Sequence, residues 1–102
     1  MAQDVLREFF LGFVKVHILH HGAETGFYGV EMMRELGRHG YGLGPGTLYP
    51  MLHGLEQGGY LSKKAKVEGG RRRIYYRATP KGVKLLRSAK EKIQELVAEV
   101  AD

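Results

Sequence analysis

The sequence predicts a mainly α fold carrying one small β-hairpin, and three stretches support this. Residues 44–58 read as a short helix with clear start and stop signals, residues 61–78 hold two alternating runs around a Gly-Gly pair, and residues 79–102 form a closing helix with a heptad seam. Length, 102 residues, sets one modest core and one folding unit. The expected boundaries are a first domain over 1–78 and a C-terminal helix over 79–102.

Taken in order, Asp4 is placed to cap a first helix running to about His21, with Leu6, Phe9, Phe10, Phe13, Val16 and Leu19 at core spacing. Three Phe on nearly one face suit either the core alone or the core plus part of a contact with a second chain. Gly22 to Gly26 breaks the pattern. Tyr28 to His39 resumes it as a second helix, with Val30, Met33 and Leu36 inward and Gly40 closing it; Gly37 inside costs roughly 1 kcal/mol relative to Ala, which predicts fraying or close packing there.

Tyr41-Gly42-Leu43 turns the chain into the 44–58 helix, where Leu48, Met51, Leu52 and Leu55 form one apolar face. A start at Gly44 leaves Pro50 inside, removing a bond to the carbonyl of Gly46, whereas a start at Thr47 places Pro50 in the first turn. Gly58-Gly59 supplies left-handed residues for the end. The outward face carries Thr47, Tyr49, Pro50, His53, Gly54 and Gln57, nearly free of charge and able to meet base edges; Tyr49 alternatively packs as core. Two helices joined by a short Gly-containing turn make a helix-turn-helix.

Leu61, Ala65 and Val67 alternate with Ser62, Lys64 and Lys66, with Lys63 on the otherwise apolar face, and Ile74, Tyr76 and Ala78 alternate with Arg73, Tyr75 and Arg77. Gly69-Gly70 between them is a two-residue turn needing positive φ, so the segment is a hairpin with a basic tip. A hairpin directly after the second helix of a helix-turn-helix is a wing. Thr79 then caps and Pro80 starts the last helix, in which Leu86, Ala89, Ile93, Leu96 and Val100 follow spacings of three and four, a seam that calls for a second copy of the chain.

Formal net charge is +5 and the pI about 9.6, and the excess is local: Lys63 to Lys90 holds eleven Lys or Arg against one acid, Glu68. Such a distribution favours a polyanionic partner such as nucleic acid or an anionic membrane surface; on double-stranded DNA, Lys64, Lys66, Arg71, Arg72, Arg73 and Tyr75 of the wing would meet phosphates, with one Arg able to enter a minor groove. The absence of Cys excludes disulfides and thiolate chemistry. No nucleophile motif, P-loop, dinucleotide fingerprint or paired carboxylates appear, so neither an enzyme nor a cofactor is expected. Arg7, Glu8 and Lys15 interrupt the N-terminal apolar run, which predicts no membrane span, no signal segment and a cytoplasmic protein.

His17, His20 and His21 bring imidazoles to one side of a helix, and Glu24 or Glu31 could add oxygen, the pattern of a metal sensor. The other reading is surface or core histidines favoured by the helix dipole; that one is adopted and no metal site is assigned. A different class altogether is a protein-interaction module whose basic wing meets an acidic partner.

Gly46-Thr47-Leu48-Tyr49-Pro50, Leu52, Leu55, Gly59-Tyr60-Leu61, Gly69-Gly70-Arg71-Arg72-Arg73, Tyr75-Tyr76 and Thr79-Pro80-Lys81-Gly82 together resemble the PadR family of transcriptional regulators along nearly the whole chain. The resemblance implies a winged helix-turn-helix, a homodimer joined through the last helix, and usually repression relieved by a small effector; on the apolar pattern of the first helix, Phe9, Phe10 and Phe13 would add to that dimer contact. It places the family's Gly-Thr-Leu-Tyr-Pro on residues 46–50. The chain has no Trp, unlike some short members that stack aromatic molecules on one.

Overall fold

Helix α1 spans Ala2–Glu24 in the computed structural model, which describes residues 2–101. It starts ahead of Asp4, whose carboxylate lies in the first turn, where the helix dipole favours it, instead of at the cap. It also continues three residues past His21, because Gly22 is a contact and not a breaker. A Cβ on Gly22 would stand 3.0 Å from the backbone nitrogen of Ala78 and 3.4 Å from Leu61 Cδ2, so the missing side chain lets α1 lie against the base of the hairpin. The inward stripe is Val14, Ile18 and Leu19, with Val16 half-buried, while Leu6, Phe9, Phe10 and Phe13 are exposed. Burial of the three Phe in this chain's own core, one of the two expectations, is therefore not what the structure holds.

Strand β1, Phe27–Tyr28, pairs antiparallel with β3 and leads into α2, Gly29–Arg38. Two residues are too few to show alternation, so the sequence reading placed Tyr28 in the helix; instead its N–H donates to Glu31 Oε1 at 2.9 Å and closes the helix start. That start turns Met32 and Leu36 inward, leaves Met33 half-buried and exposes the expected core residue Val30. Gly37 has open space around it and makes no close packing.

After the turn at 39–44, α3 spans Pro45–Gln57 with Gly44 as its cap, so the earlier of the two starts is the one adopted. The amides of Thr47 and Leu48 both donate to the Gly44 carbonyl at 3.1 Å. Pro50 lies inside, and the carbonyl of Gly46 that it leaves without a helical donor belongs to an exposed residue, which limits the cost. Leu48, Leu52 and Leu55 are buried and Met51 half-buried.

Strands β2, Leu61–Glu68, and β3, Arg71–Ala78, pair from Leu61 with Ala78 out to Glu68 with Arg71, turning at Gly69 and Gly70 with φ of 55° and 77°. The sheet order is β1-β3-β2. Leu61 and Tyr76 reach the core, and Phe27 stacks on Tyr76 with ring centroids 5.6 Å apart; farther out, Ala65 and Val67 are exposed because the wing has left the body of the protein.

Helix α4 spans Pro80–Val100 and packs against α1. Its first turn grips the end of α3. Gly58 stays right-handed and Gly59, at φ 82°, alone makes the left-handed turn. The Thr79 hydroxyl donates to the Gly59 carbonyl at 2.5 Å and accepts from the Gly82 amide at 3.0 Å, the Thr79 amide donates to the Tyr60 carbonyl at 3.1 Å, and Lys81 Nζ donates to the Gly58 carbonyl at 2.7 Å while lying over the Tyr60 ring. Gly82 is buried against the Tyr60 carbonyl with no room for a Cβ. Among the described residues, no helix is long and apolar enough to cross a membrane.

On the other side of α1, His17 and His21 meet the end of α2. His17 lies 4.7 Å from the His39 ring and 5.5 Å from Tyr41, and His21 is 5.1 Å from His20. Glu35 accepts from Arg38, stands 3.0 Å from His39 Nε2 and 3.7 Å from His21 Nε2. Burial, followed by the neighbouring His39 and His21, pushes the His17 imidazole below its usual 6.5; burial does the same to His21, partly offset by Glu35. The hydrogen bond from Arg38 is the main cause holding the Glu35 carboxyl below its usual range.

Two measurements follow from this packing. In urea unfolding, Gly82→Ala should destabilise the chain by about 1–3 kcal/mol through overpacking, whereas Gly37→Ala, in open space on a helix, should stabilise it by roughly 0.5–1 kcal/mol; equal effects would refute the contrast. For pH, the folded chain favours neutral His17 and His21, so the unfolded chain takes up protons first. That contribution is complete above about 6.5 and is lost as pH falls from there toward the lowered folded values. Thermal unfolding should therefore shift to lower temperature between pH 7.5 and 5.5, and His17→Gln should flatten the dependence; an unchanged slope would contradict it.

Candidate nucleic-acid interface

Helix α3 presents its uncharged side outward because Leu48, Leu52 and Leu55 fix the opposite side in the core. Pro50, His53 and Gly54 are exposed, Thr47 is half-buried, and a Cβ on Gly54 would meet nothing within 4 Å. Tyr49 resolves its two sequence readings by sharing them. Its ring is partly exposed, and its phenol end lies in the space left by Gly29, where a Cβ would come within 2.6 Å of the hydroxyl oxygen.

The wing adds the cations, and the pairing register sorts them. Directly paired residues share a face, so Lys64 with Tyr75, Lys66 with Arg73, and Glu68 with Arg71 lie on one face, while Lys63, Val67, Arg72 and Ile74 lie on the other. The three consecutive arginines are thus split two and one. They nonetheless converge at the rim of one open groove of about 690 Å³, in which Arg71, Arg72, Arg73 and Ile74 of the wing face Tyr28, Gly29 and Arg34 at the start of α2 and Tyr49 of α3. Glu31 is the acidic residue on that rim, and it already accepts from the Tyr28 amide. Four guanidinium groups beside two phenols can fork onto phosphate oxygens and lie flat on sugars or bases.

Thr47, Pro50 and His53 do not line the groove; they sit on the exposed side of α3 beyond it. Tyr75 is engaged inside the fold: its hydroxyl donates to the Thr25 carbonyl, its ring fills the space above Gly26 and meets Tyr28 edge-on at 5.1 Å, and Lys66 Nζ lies 4.1 Å over it. Lys64 and Lys66 line no part of the groove, although the register puts them on the same wing face as Arg71 and Arg73. Lys63, the residue on the inner face, reaches Glu56 of α3 at 3.9 Å. Tyr28 escaped the sequence reading because it was placed in the helix, and Arg34 was not singled out; the pairing of β1 with β3 brings them beside the wing.

The seam on α4 divides as well. Leu86 is buried within this chain and has little surface left for a partner, a correction to its place in the expected dimer contact that follows from α4 packing on its own domain over its first turns. Ala89 is half-buried, whereas Ile93, Leu96 and Val100 are exposed together with Val97. Among the described residues, no three His, Asp or Glu side chains converge to hold a metal ion, and His17 and His21 are placed instead against His39, Tyr41 and Glu35.

Comparison with known proteins agrees with this geometry. Residues 18–88 match the family described as the transcriptional regulator PadR-like family. The chain is 46% identical over 95 residues to Transcriptional regulator Rv3488 of Mycobacterium tuberculosis, covering 93% of this chain and 89% of that one. It superposes with a TM-score of 0.83 on the crystal structure of a PadR family transcriptional regulator from Eggerthella lenta, at 28% identity over 97% of this chain and 88% of that chain. A PadR-like transcriptional regulator from Bacillus cereus also gives 0.83, at 25% identity, covering 91% and 92%. With the winged helix-turn-helix in place and the family matched over most of its length, the chain belongs to the PadR-like family of transcriptional regulators.

Proposed function

We propose that this regulator is a homodimeric repressor that binds palindromic double-stranded operator DNA. The observation that carries the reading is the groove between α2, Tyr49 and the wing, where Arg34, Arg71, Arg72 and Arg73 surround an opening flanked by the uncharged outward side of α3. In this reading α3 enters the major groove, Thr47, Tyr49, Pro50 and His53 meet base edges, and the arginines hold the backbone alongside. Lys64 and Lys66, on the wing but outside the groove, add long-range attraction.

A single copy carries a second unfilled requirement. Leu6, Phe9, Phe10 and Phe13 on α1 and Ile93, Leu96, Val97 and Val100 on α4 are exposed apolar side chains on two helices that pack together. A second copy covering them would place two recognition helices roughly 34–36 Å apart, one turn of the duplex. Repression released by a small effector completes the proposal, with membership of the family as its support.

Arg72→Ala should weaken binding by a similar factor on any duplex and reduce the salt slope by about one, whereas Tyr49→Phe, which keeps the ring over Gly29, should change preference among sequences. Fluorescence anisotropy across salt concentrations reads both, and a sequence-dependent loss for Arg72→Ala would reverse the assignment. Leu96→Glu combined with Val100→Glu should give a monomer by sedimentation, with affinity for a two-half-site duplex falling to that for one half-site; an intact dimer would remove α4 from the interface.

A further inference from the structure

Tyr28 links three parts of the fold. Its amide closes the start of α2 through Glu31, its ring carries the Arg73 guanidinium 5.2 Å from the centroid and the edge of Tyr75, and its hydroxyl donates a 2.5 Å hydrogen bond to Oε1 of Glu68, forty residues away. Glu68 closes β2 at the tip of the wing, opposite Arg71. It is also the one acid between Lys63 and Lys90. A carboxylate among cations that meet phosphates opposes binding by its charge, so a residue serving only as a solvated tip would do better as almost any other polar type. What its acceptor oxygen does here is draw the tip of the wing back to the start of α2. The same bond raises the Tyr28 phenol above its usual range.

We propose that Tyr28 and Glu68 form a latch that sets the angle of the wing against α2, so that Arg71, Arg72 and Arg73 line the groove with Arg34. Both are positioning residues, since the arginines make the contact. Without the latch the base of the hairpin is still anchored by Leu61 and Tyr76 in the core, by β1 and by Tyr75, but the outer half of the wing lies beyond the core. A wing held at one angle loses less freedom when DNA binds, which favours the duplex that fits that angle. The inference rests on the DNA-binding reading.

A double-mutant cycle tests it, using the full chain and a duplex taken from immediately upstream of its own gene. Tyr28→Phe keeps the ring under Arg73 and removes only the donor. It should cost roughly three- to tenfold in affinity, as one hydrogen bond of about 0.5–1.5 kcal/mol allows, yet cost nothing in the Glu68→Ala background. Glu68→Gln retains an acceptor while removing the charge, and should bind unrelated duplex more tightly and keep its sensitivity to Tyr28→Phe. If Tyr28→Phe is silent, or costs the same with Glu68→Ala, the latch is overturned and Glu68 acts by charge alone. Amide exchange in the free protein supplies an arm independent of DNA: residues 64–74 should exchange faster in Tyr28→Phe and no faster still when Glu68→Ala is added. Unchanged exchange overturns the latch. Faster exchange in Tyr28→Phe, where the wild-type chain binds no duplex, supports the latch while removing the DNA-binding reading.

Discussion

The carbonyls of the turn that follows α3 are the groups on which the rest of the arrangement depends. The last helical carbonyls of α3 accept from the amides of Gly58, Gly59 and Tyr60, and the carbonyls of those three residues are in turn taken by Lys81, the Thr79 hydroxyl and the Thr79 amide. Thr79 at the same time caps α4. One residue therefore ends one helix and begins another, and Gly82 lets them approach until backbone meets backbone. The outward face of α3 and the apolar seam of α4 are thereby held at a fixed angle. Any rearrangement of α4 would therefore be passed to α3 through short contacts; for the proposed dimer and effector, this is the route by which one would act on the other.

The wing shows how one set of side chains meets two demands. β2 is an edge strand, and exposed edges invite pairing with other chains; Lys63, Lys64 and Lys66 along it discourage that whatever they do with phosphate. The groove cations come mainly from β3 and α2 instead. Clustering of Lys and Arg in the sequence was thus a sound guide to the wing but a coarse one to the groove, which the consecutive Arg71, Arg72 and Arg73 line while Lys64 and Lys66 on the paired strand do not.

Elements with strong local signals were legible from sequence: the Gly69-Gly70 turn with full pairing on either side and the Thr79-Pro80 start of α4 stand where the residues imply, while the Gly44 cap of α3 was one of two starts the sequence left open. Signals that depend on distant partners misled. Gly22 looked like a breaker until Ala78 and Leu61 were seen against it, and Phe27–Tyr28 became a strand only because β3 runs alongside. The apolar stripe of α1 was ambiguous for a related reason: it has two such stripes, and only the packing of Val14, Ile18 and Leu19 tells which one this chain covers itself. For the site, Tyr49 and the three arginines were visible as candidates, whereas Tyr28 and Arg34 required the third strand to bring α2 to the wing.

The central claim is that this surface reads a particular duplex and does not merely attract polyanions. Fluorescence anisotropy should compare the DNA immediately upstream of the protein's own gene with a shuffled fragment, at low and at physiological salt. Phosphate contacts weaken steeply with salt on both fragments, while base contacts preserve a difference between them. A preference for the upstream fragment that persists at physiological salt is the predicted result. Equal binding that salt erases would reduce the groove to a basic surface and contradict the account.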